Sequence, residues 1–411
     1  MNTDVLAALR DRLAAGDVNG AQSLLRGIGI DHPAWLESRR LAAHGLLAAS
    51  DPAGARAILD EVRAGRPNSP WALQLLARIA SAEGRPDAAA ALLSRLQELL
   101  PDNAEIAMDC AQMLRTLGEE SRAAAVEAEQ AAWARVDVAT LPLWLDTGLP
   151  LEASSPVDLY LDLLERTVSN DIYRDPSFSE GRVGEYSEVL RQSGRDLPMV
   201  AHTMIGRKRL RHLRRMVETV LAENVPGDLI ETGVWRGGAC ILMRGVLAAH
   251  GDPRRRVFAA DSFRGLPPPD PRFLEDALTT FDFHLRPELA VARAEVEENF
   301  ARYGLLDDRV VFVEGLFRDT LPALATQRFA VLRLDGDLYS STMDALTLLY
   351  DSVSPGGFVI VDDYGVVLDA RRAVLDFRAR RGVEAPMTAV DGDAVFWRKP
   401  AEGGDPATGA R

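Results

Sequence analysis

Over the first 130 residues the apolar positions fall in helical stripes that recur with a period of 34 residues. Gly16, Ser50, Gly84 and Gly118 mark the turns, Ala21, Ala55, Ala89 and Ala123 each follow five residues later, and Pro33, Pro67 and Pro101 close the units. A small residue at a turn lets two helices approach, alanine fits where they touch, and proline stops the second helix because it has no N–H to donate. Each unit is therefore expected to be a helical hairpin. The second helices carry paired apolar residues, Leu24 and Leu25, Ile58 and Leu59, Leu92 and Leu93. One hairpin cannot bury such a stripe alone, so neighbouring hairpins are expected to stack.

This pattern resembles the tetratricopeptide repeat over residues 1–135, without that family's full aromatic signature, and it holds no cluster of catalytic residue types. Its expected job is contact. Prolines, glycine and serines in VDVATLPLWLDTGLPLEASSPVDL suggest a linker over 136–156. The following stretch, to about residue 225, reads mainly as helix, with Leu210, Leu213, Met216, Val217 and Val220 on one face and the arginines of RKRLRHLRRMV on a solvated one. From residue 228 the rhythm changes to short, nearly continuous apolar runs separated by helical stretches: DLIETGV, VFAADSF, VVFVEG, FAVLRLDGD and FVIVDDY. Strands buried on both faces read this way, so an α/β domain over 157–400 is expected, with a doubly wound, mostly parallel sheet and ligands beyond the carboxyl ends of its strands. Residues 401–411 read as a disordered tail.

Composition narrows the partners. With 411 residues, 47% hydrophobic and 26% charged, the chain has enough apolar material for two or three cored domains. A net charge of -14 works against attraction to nucleic acid phosphates or anionic membrane, so neither is an expected partner. Cys110 and Cys240 have no CxxC or Cys/His spacing, which excludes a disulfide framework or zinc site built from them. The amino terminus has no basic region followed by an apolar core, and no run of 18 apolar residues occurs, so a cytoplasmic location is expected.

The chemistry gathers at the expected strand ends. Glu231 begins a turn in which Gly233, Gly237 and Gly238 let backbone approach a ligand, although tight chain packing explains such a turn as readily. Asp261 ends the next strand, where a carboxylate can accept the ribose hydroxyls of an adenosine; a solvated strand-end aspartate is the other reading. Together these features suggest S-adenosylmethionine. Asp335, Asp337, Asp362 and Asp363 end two strands expected to be neighbours. Four converging carboxylates repel unless a cation compensates them, which suggests a hard divalent ion, naturally magnesium. The alternative is a pair of unrelated acidic turns capping the helices that follow.

The stretches AHTMIGRKRL, GDLIETGVWRGGACILMRGVL, ADSFRGLP, LRLDGDLYSSTMDAL and GGFVIVDDYG resemble the macrocin O-methyltransferase family over nearly all of residues 157–400. The resemblance implies a Rossmann-like class I methyltransferase that uses S-adenosylmethionine and magnesium on a deoxysugar hydroxyl of a glycosylated natural product. It implies Asp335, Asp362 and Asp363 as metal ligands, and Asp337, with Asp335, as the catalytic residues, Asp337 being the candidate general base. Thr203, Glu231, Gly233, Arg236, Gly237, Asp261, Ser262, Gly315 and Phe317 are then expected at the cofactor. The segment 263–290, with Pro267, Pro268, Pro269, Asp270 and Pro271 and then Phe273, Phe281, Phe283 and His284, has the length and position of a lid. His284 is a second candidate base, a surface histidine being its other reading. A homo-oligomer and a protein partner for the repeats are expected. A polysaccharide, lipid-linked glycan or phenolic acceptor, and a non-catalytic scaffold acting through the repeats, remain alternatives.

Overall fold

The structure, a computed structural model, describes residues 8–9, 12, 17–29, 35–48, 51–144, 155–179, 182–270, 272–273, 276, 284 and 286–400. The calls on Gly16, Ser50, Pro33, Pro271, Phe281, Phe283 and the tail 401–411 lie outside these residues. The chain divides after Val136 into two units.

The first unit is a run of antiparallel helices: α1 (Val18–Arg26), α2 (Trp35–Ala48), α3 (Pro52–Gly65), α4 (Pro70–Ala82), α5 (Pro86–Leu99), α6 (Ala104–Thr116) and α7 (Glu120–Arg135). Gly84 and Gly118 take left-handed φ values of 70° and 77° at the α4–α5 and α6–α7 turns, a conformation that glycine reaches without the clash a Cβ meets. Ala21, Ala55, Ala89 and Ala123 are all buried at helix contacts. In the paired stripes Leu25, Ile58, Leu59 and Leu93 are buried, whereas Leu24 and Leu92 are half-buried and pack against the clusters from their edges.

The second unit is built on a seven-stranded sheet: β1 (Asp228–Thr232), β2 (Val257–Asp261), β3 (Val310–Glu314), β4 (Phe329–Leu334), β5 (Val353–Val361), β6 (Thr388–Ala389) and β7 (Val395–Arg398). Their order is β3-β2-β1-β4-β5-β7-β6, with the first five parallel and β7 antiparallel to both its neighbours. Alternate residues enter opposite cores: Leu229, Val257, Ala259, Phe358 and Ile360 on one face, Ile230, Phe258, Ala260, Val359 and Val361 on the other. The period of two with both faces apolar is why these strands read as continuous runs. Helices α8 (Pro156–Val168), α9 (Glu188–Ser193), α10 (Gly206–Ala222), α11 (Gly238–Ala249) and α12 (Arg293–Arg302) follow in chain order, and α8, α10, α11 and α12 cover the first face. The short helix α13 (Phe317–Thr320) opens the β3–β4 connection, and α14 (Tyr339–Leu349) and α15 (Leu368–Arg381) cover the second face. No helix among the described residues is long and apolar enough to cross a membrane.

Two parts differ from the sequence reading. Of the stretch read as a linker over 136–156, residues 138–144 pack onto the second unit: Val138 is buried, and the Trp144 N–H donates to the Ala389 carbonyl at 2.7 Å. The arginine face of α10 is not solvated. Arg214 is buried against Asp158 and Glu218, and the fully buried Glu165 sits 3.7–3.8 Å from Arg207, Arg211 and Arg214. Acids on α8 lie opposite the arginines and balance them, a pairing that no periodicity within α10 discloses.

Candidate active site

The chain runs from β1 to β2 on one side and returns to β4 on the other, so a crevice opens between the ends of β1 and β4. Gly233 stands there with φ of 94°, and a Cβ added to it would lie 1.7 Å from the Asp335 carbonyl oxygen. Only glycine permits the two loops to approach so closely. Three non-glycine residues at the strand ends also take left-handed backbone: Trp235 (46°), Phe263 (54°) and Asp337 (56°). Each costs on the order of 1–2 kcal/mol, so the surroundings must hold it. The Asp261 carboxylate does so for two of them, accepting the N–H groups of Val234 (2.6 Å), Trp235 (3.3 Å) and Phe263 (2.8 Å).

A cavity of about 470 Å³ spans these strand ends. Of the residues expected at the cofactor, Thr203, Glu231, Gly233, Asp261, Ser262, Gly315 and Phe317 line it; Arg236 and Gly237 do not. The Arg236 guanidinium turns toward the segment before Thr203, donating to the carbonyls of Pro198 (3.0 Å) and Ala201 (3.1 Å). Gly237 caps α11 with φ of 89°, where a Cβ would lie 2.8 Å from Val296 of α12. Both support the turn rather than face the space it encloses. His284 is half-buried and is not among the lining residues, whereas Asp337 is.

Asp335, Asp362 and Asp363 each bring an oxygen within 4.8 Å of the others, with Asp362 and Asp363 buried. The register of β4 beside β5, pairing Leu334 with Val361, places them. The cluster carries cations of its own that the sequence reading missed. Arg333, directly across the ladder from Glu231, donates to Glu231 (2.5 Å), Asp335 (2.7 Å) and Asp362 (2.5 Å). Arg209 of α10 donates to the other oxygen of Asp362 at 2.7 Å. The signal for Arg333 was present: an arginine inside the apolar run FAVLRL must find buried acids, because its charge is too costly to bury alone.

The compensation is uneven. Burial pushes Asp362 up, but Arg333 and Arg209 outweigh it and hold its carboxyl below the ordinary range. Burial together with Asp337, Asp335 and Asp362 pushes Asp363 well above it, and among the described residues its carboxylate accepts only the Asp337 N–H, at 3.2 Å. Burial, Asp335 and Asp362 likewise raise Asp337 to about 7. Burial, with Asp335 and Asp362 nearby, also pushes Glu231 up to about 7 despite Arg333, and it accepts the Cys240 thiol at 2.8 Å. The missing positive charge is therefore localised at Asp363 and Asp337.

Replacing Arg333 with methionine takes from buried Glu231 and Asp335 the cation bonded to them and leaves Asp362 to Arg209 alone, and breaking a buried pair in this way costs about 3–5 kcal/mol. A urea unfolding midpoint measured without divalent ions should fall accordingly; a loss below about 1 kcal/mol would mean that these pairs do not hold the strand ends together.

A doubly wound sheet with a reversed strand next to one edge, a glycine turn after β1 and acids at the ends of β1, β2, β4 and β5 around one cavity defines a Rossmann-like class I methyltransferase domain. Residues 157–399 match the family described as Macrocin-O-methyltransferase (TylF), and the chain belongs to that family of O-methyltransferases. Residues 46–113 match a tetratricopeptide repeat. The chain is 53% identical over 248 residues to the 8-demethyl-8-(2,3-dimethoxy-alpha-L-rhamnosyl)-tetracenomycin-C 4'-O-methyltransferase of Streptomyces olivaceus, covering 59% of this chain and 94% of that one. It is 47% identical over 255 residues to the Mycinamicin III 3''-O-methyltransferase of Micromonospora griseorubida, covering 61% and 100%. The solved structure of the O-methyltransferase NovP superposes with a TM-score of 0.56 at 47% identity, covering 59% of this chain and 99% of that one.

Proposed function

We propose that this protein transfers a methyl group from S-adenosylmethionine to a sugar hydroxyl of a glycosylated natural product, assisted by magnesium held at Asp335, Asp362 and Asp363. The observation that carries this reading is the acid cluster beside Asp337 in the same cavity as the glycine turn. A relative whose name specifies a rhamnosyl-bearing acceptor supports the acceptor class.

The residues present fit both groups. Hard carboxylate oxygens set close together suit a small divalent ion. Asp362, although bonded to two guanidinium groups, keeps a further lone pair on each oxygen. The close-packed Gly233 turn and the neighbouring Asp261 and Ser262 suit an adenosine-bearing donor. When bound, S-adenosylmethionine supplies an electrophilic methyl and magnesium supplies positive charge that acidifies a hydroxyl. The chain does the rest. Asp261 fixes the turn against which the donor lies, Arg333 and Arg209 hold Asp362 in one orientation, and Asp337 receives the proton that the acceptor hydroxyl loses on methylation.

The test is turnover of the full chain with S-adenosylmethionine, magnesium and a panel of rhamnosylated and other deoxysugar glycosides beside catechols and polysaccharides, followed by mass spectrometry. Methylated glycoside is the expected product; methylation of catechol alone would replace the acceptor assignment.

For the repeats we propose a contact role, since among their described residues no group of metal-ligating side chains gathers. Deleting residues 1–136 should leave S-adenosylmethionine affinity within about two-fold while changing oligomeric mass or lowering the rate on a large glycosylated acceptor. Light scattering and paired rates on small and large acceptors check this. Unchanged mass together with unchanged acceptor preference would refute it.

A further inference from the structure

Arg209 does more than neutralise Asp362. Only 7% exposed, it spans two elements far apart in sequence: Nη1 donates to Asp362 after β5, while Nε donates to Asp391 at 2.8 Å and Nη2 to Asp393, both in the β6–β7 turn. That turn is itself fixed. The Asp391 carboxylate accepts the N–H groups of Asp393 and Ala394, each at 2.9 Å, and the Gly365 N–H donates to the Asp393 carbonyl at 2.6 Å. Gly365 lies so close that a Cβ on it would come 2.1 Å from the Gly392 oxygen. On its other side Asp393 accepts Arg195 at 2.5 Å, from the segment that contributes Gly194 to Leu197 to the cavity.

Sheet order gives this arrangement its meaning. The glycine turn, Asp261 and Gly315 follow β1, β2 and β3, on one half of the cavity, while Asp393 stands at the β7 end of the other half. The half beyond β5 is the one left for the acceptor. We propose that Arg209 is a positioning residue that ties this acceptor-side wall, through Asp391 and Asp393, to the ion-binding carboxylate Asp362, so that the wall and the ion site are set as one unit. The proposal rests on the magnesium reading above. A planar guanidinium with donors in a fixed fork can bridge three carboxylates; a lysine ammonium keeps the charge but not the fork.

A double-mutant cycle tests it, with magnesium affinity measured by calorimetry on the full chain. Asp393→Asn removes a carboxylate that is not a candidate ligand, and it should weaken magnesium binding about 10-fold in the wild-type background, as outer partners of metal ligands do. In the Arg209→Lys background, where the charge is preserved, the same change should weaken it by less than about two-fold. Equal weakening in both backgrounds would show that charge alone acts, and would overturn the proposal. Should Arg209→Lys fail to fold, Asp393→Asn alone decides: magnesium affinity and acceptor KM both within about two-fold of wild type would overturn it. A wild-type chain that binds no magnesium would instead overturn the metal reading beneath it.

Discussion

Asp363→Asn is expected to lower methyl transfer about 10³-fold or more, the several kcal/mol that a bound ion contributes to the transition state, while S-adenosylmethionine still binds. Asp362 leans on Arg333 and Arg209, and Asp335 on Arg333, but among the described residues Asp363 has only a backbone N–H and three acidic neighbours. Of the three candidate ligands, it is the one whose charge most needs an ion. The proposed donor side, at Gly233, Asp261 and Ser262 by the ends of β1 and β2, lies on other strands. EDTA should abolish turnover of the wild type, and added magnesium should restore it. Calcium should occupy the site yet support little turnover, because its longer and looser coordination misplaces the hydroxyl. Initial rates with each ion, beside calorimetry of cofactor binding, check the assignment; full activity in a chelated sample would remove the metal from the mechanism.

The fold and the site were legible to different degrees, and for physical reasons. Residues such as Leu229 and Ile230, or Phe358 and Val359, enter opposite cores, and two-sided burial leaves an unbroken apolar run that a reader can see. The acids at the ends of β4 and β5 were legible for a similar reason, because each follows such a run directly. The hairpin of β6 and β7 was not: two residues at Thr388–Ala389 carry no period, and Val395–Arg398 makes sense only as a strand laid antiparallel on β5. Arg209 was misplaced because its partners Asp362, Asp391 and Asp393 lie more than 150 residues away, and spacing along α10 says nothing of them. Arg236 and Gly237 were drawn to the cavity by their place in the turn. Their neighbours, the Pro198–Ala201 segment and Val296, come from other parts of the chain.

Asp337→Asn should lower kcat by about 10²–10⁴, the range for removing a general base, with little change in S-adenosylmethionine affinity. The residue sits in left-handed backbone at φ of 56°, which asparagine tolerates nearly as well as aspartate, so the substitution removes the base without adding strain. Burial and the Asp335 and Asp362 charges raise its carboxyl to about 7, which brings proton uptake within reach at neutral pH. The sign follows from the form required. A base acts when ionised, so below about 7 the wild-type kcat should rise tenfold per pH unit and level off above it, and magnesium at the neighbouring acids should draw the bend downward. Asp337→Asn should lose this rising limb altogether. His284→Ala is the comparison, since that side chain is not among those lining the cavity and should leave both rate and profile nearly intact. A severe loss in His284→Ala, with Asp337→Asn near normal and still showing the acid limb, would move the proton to the histidine.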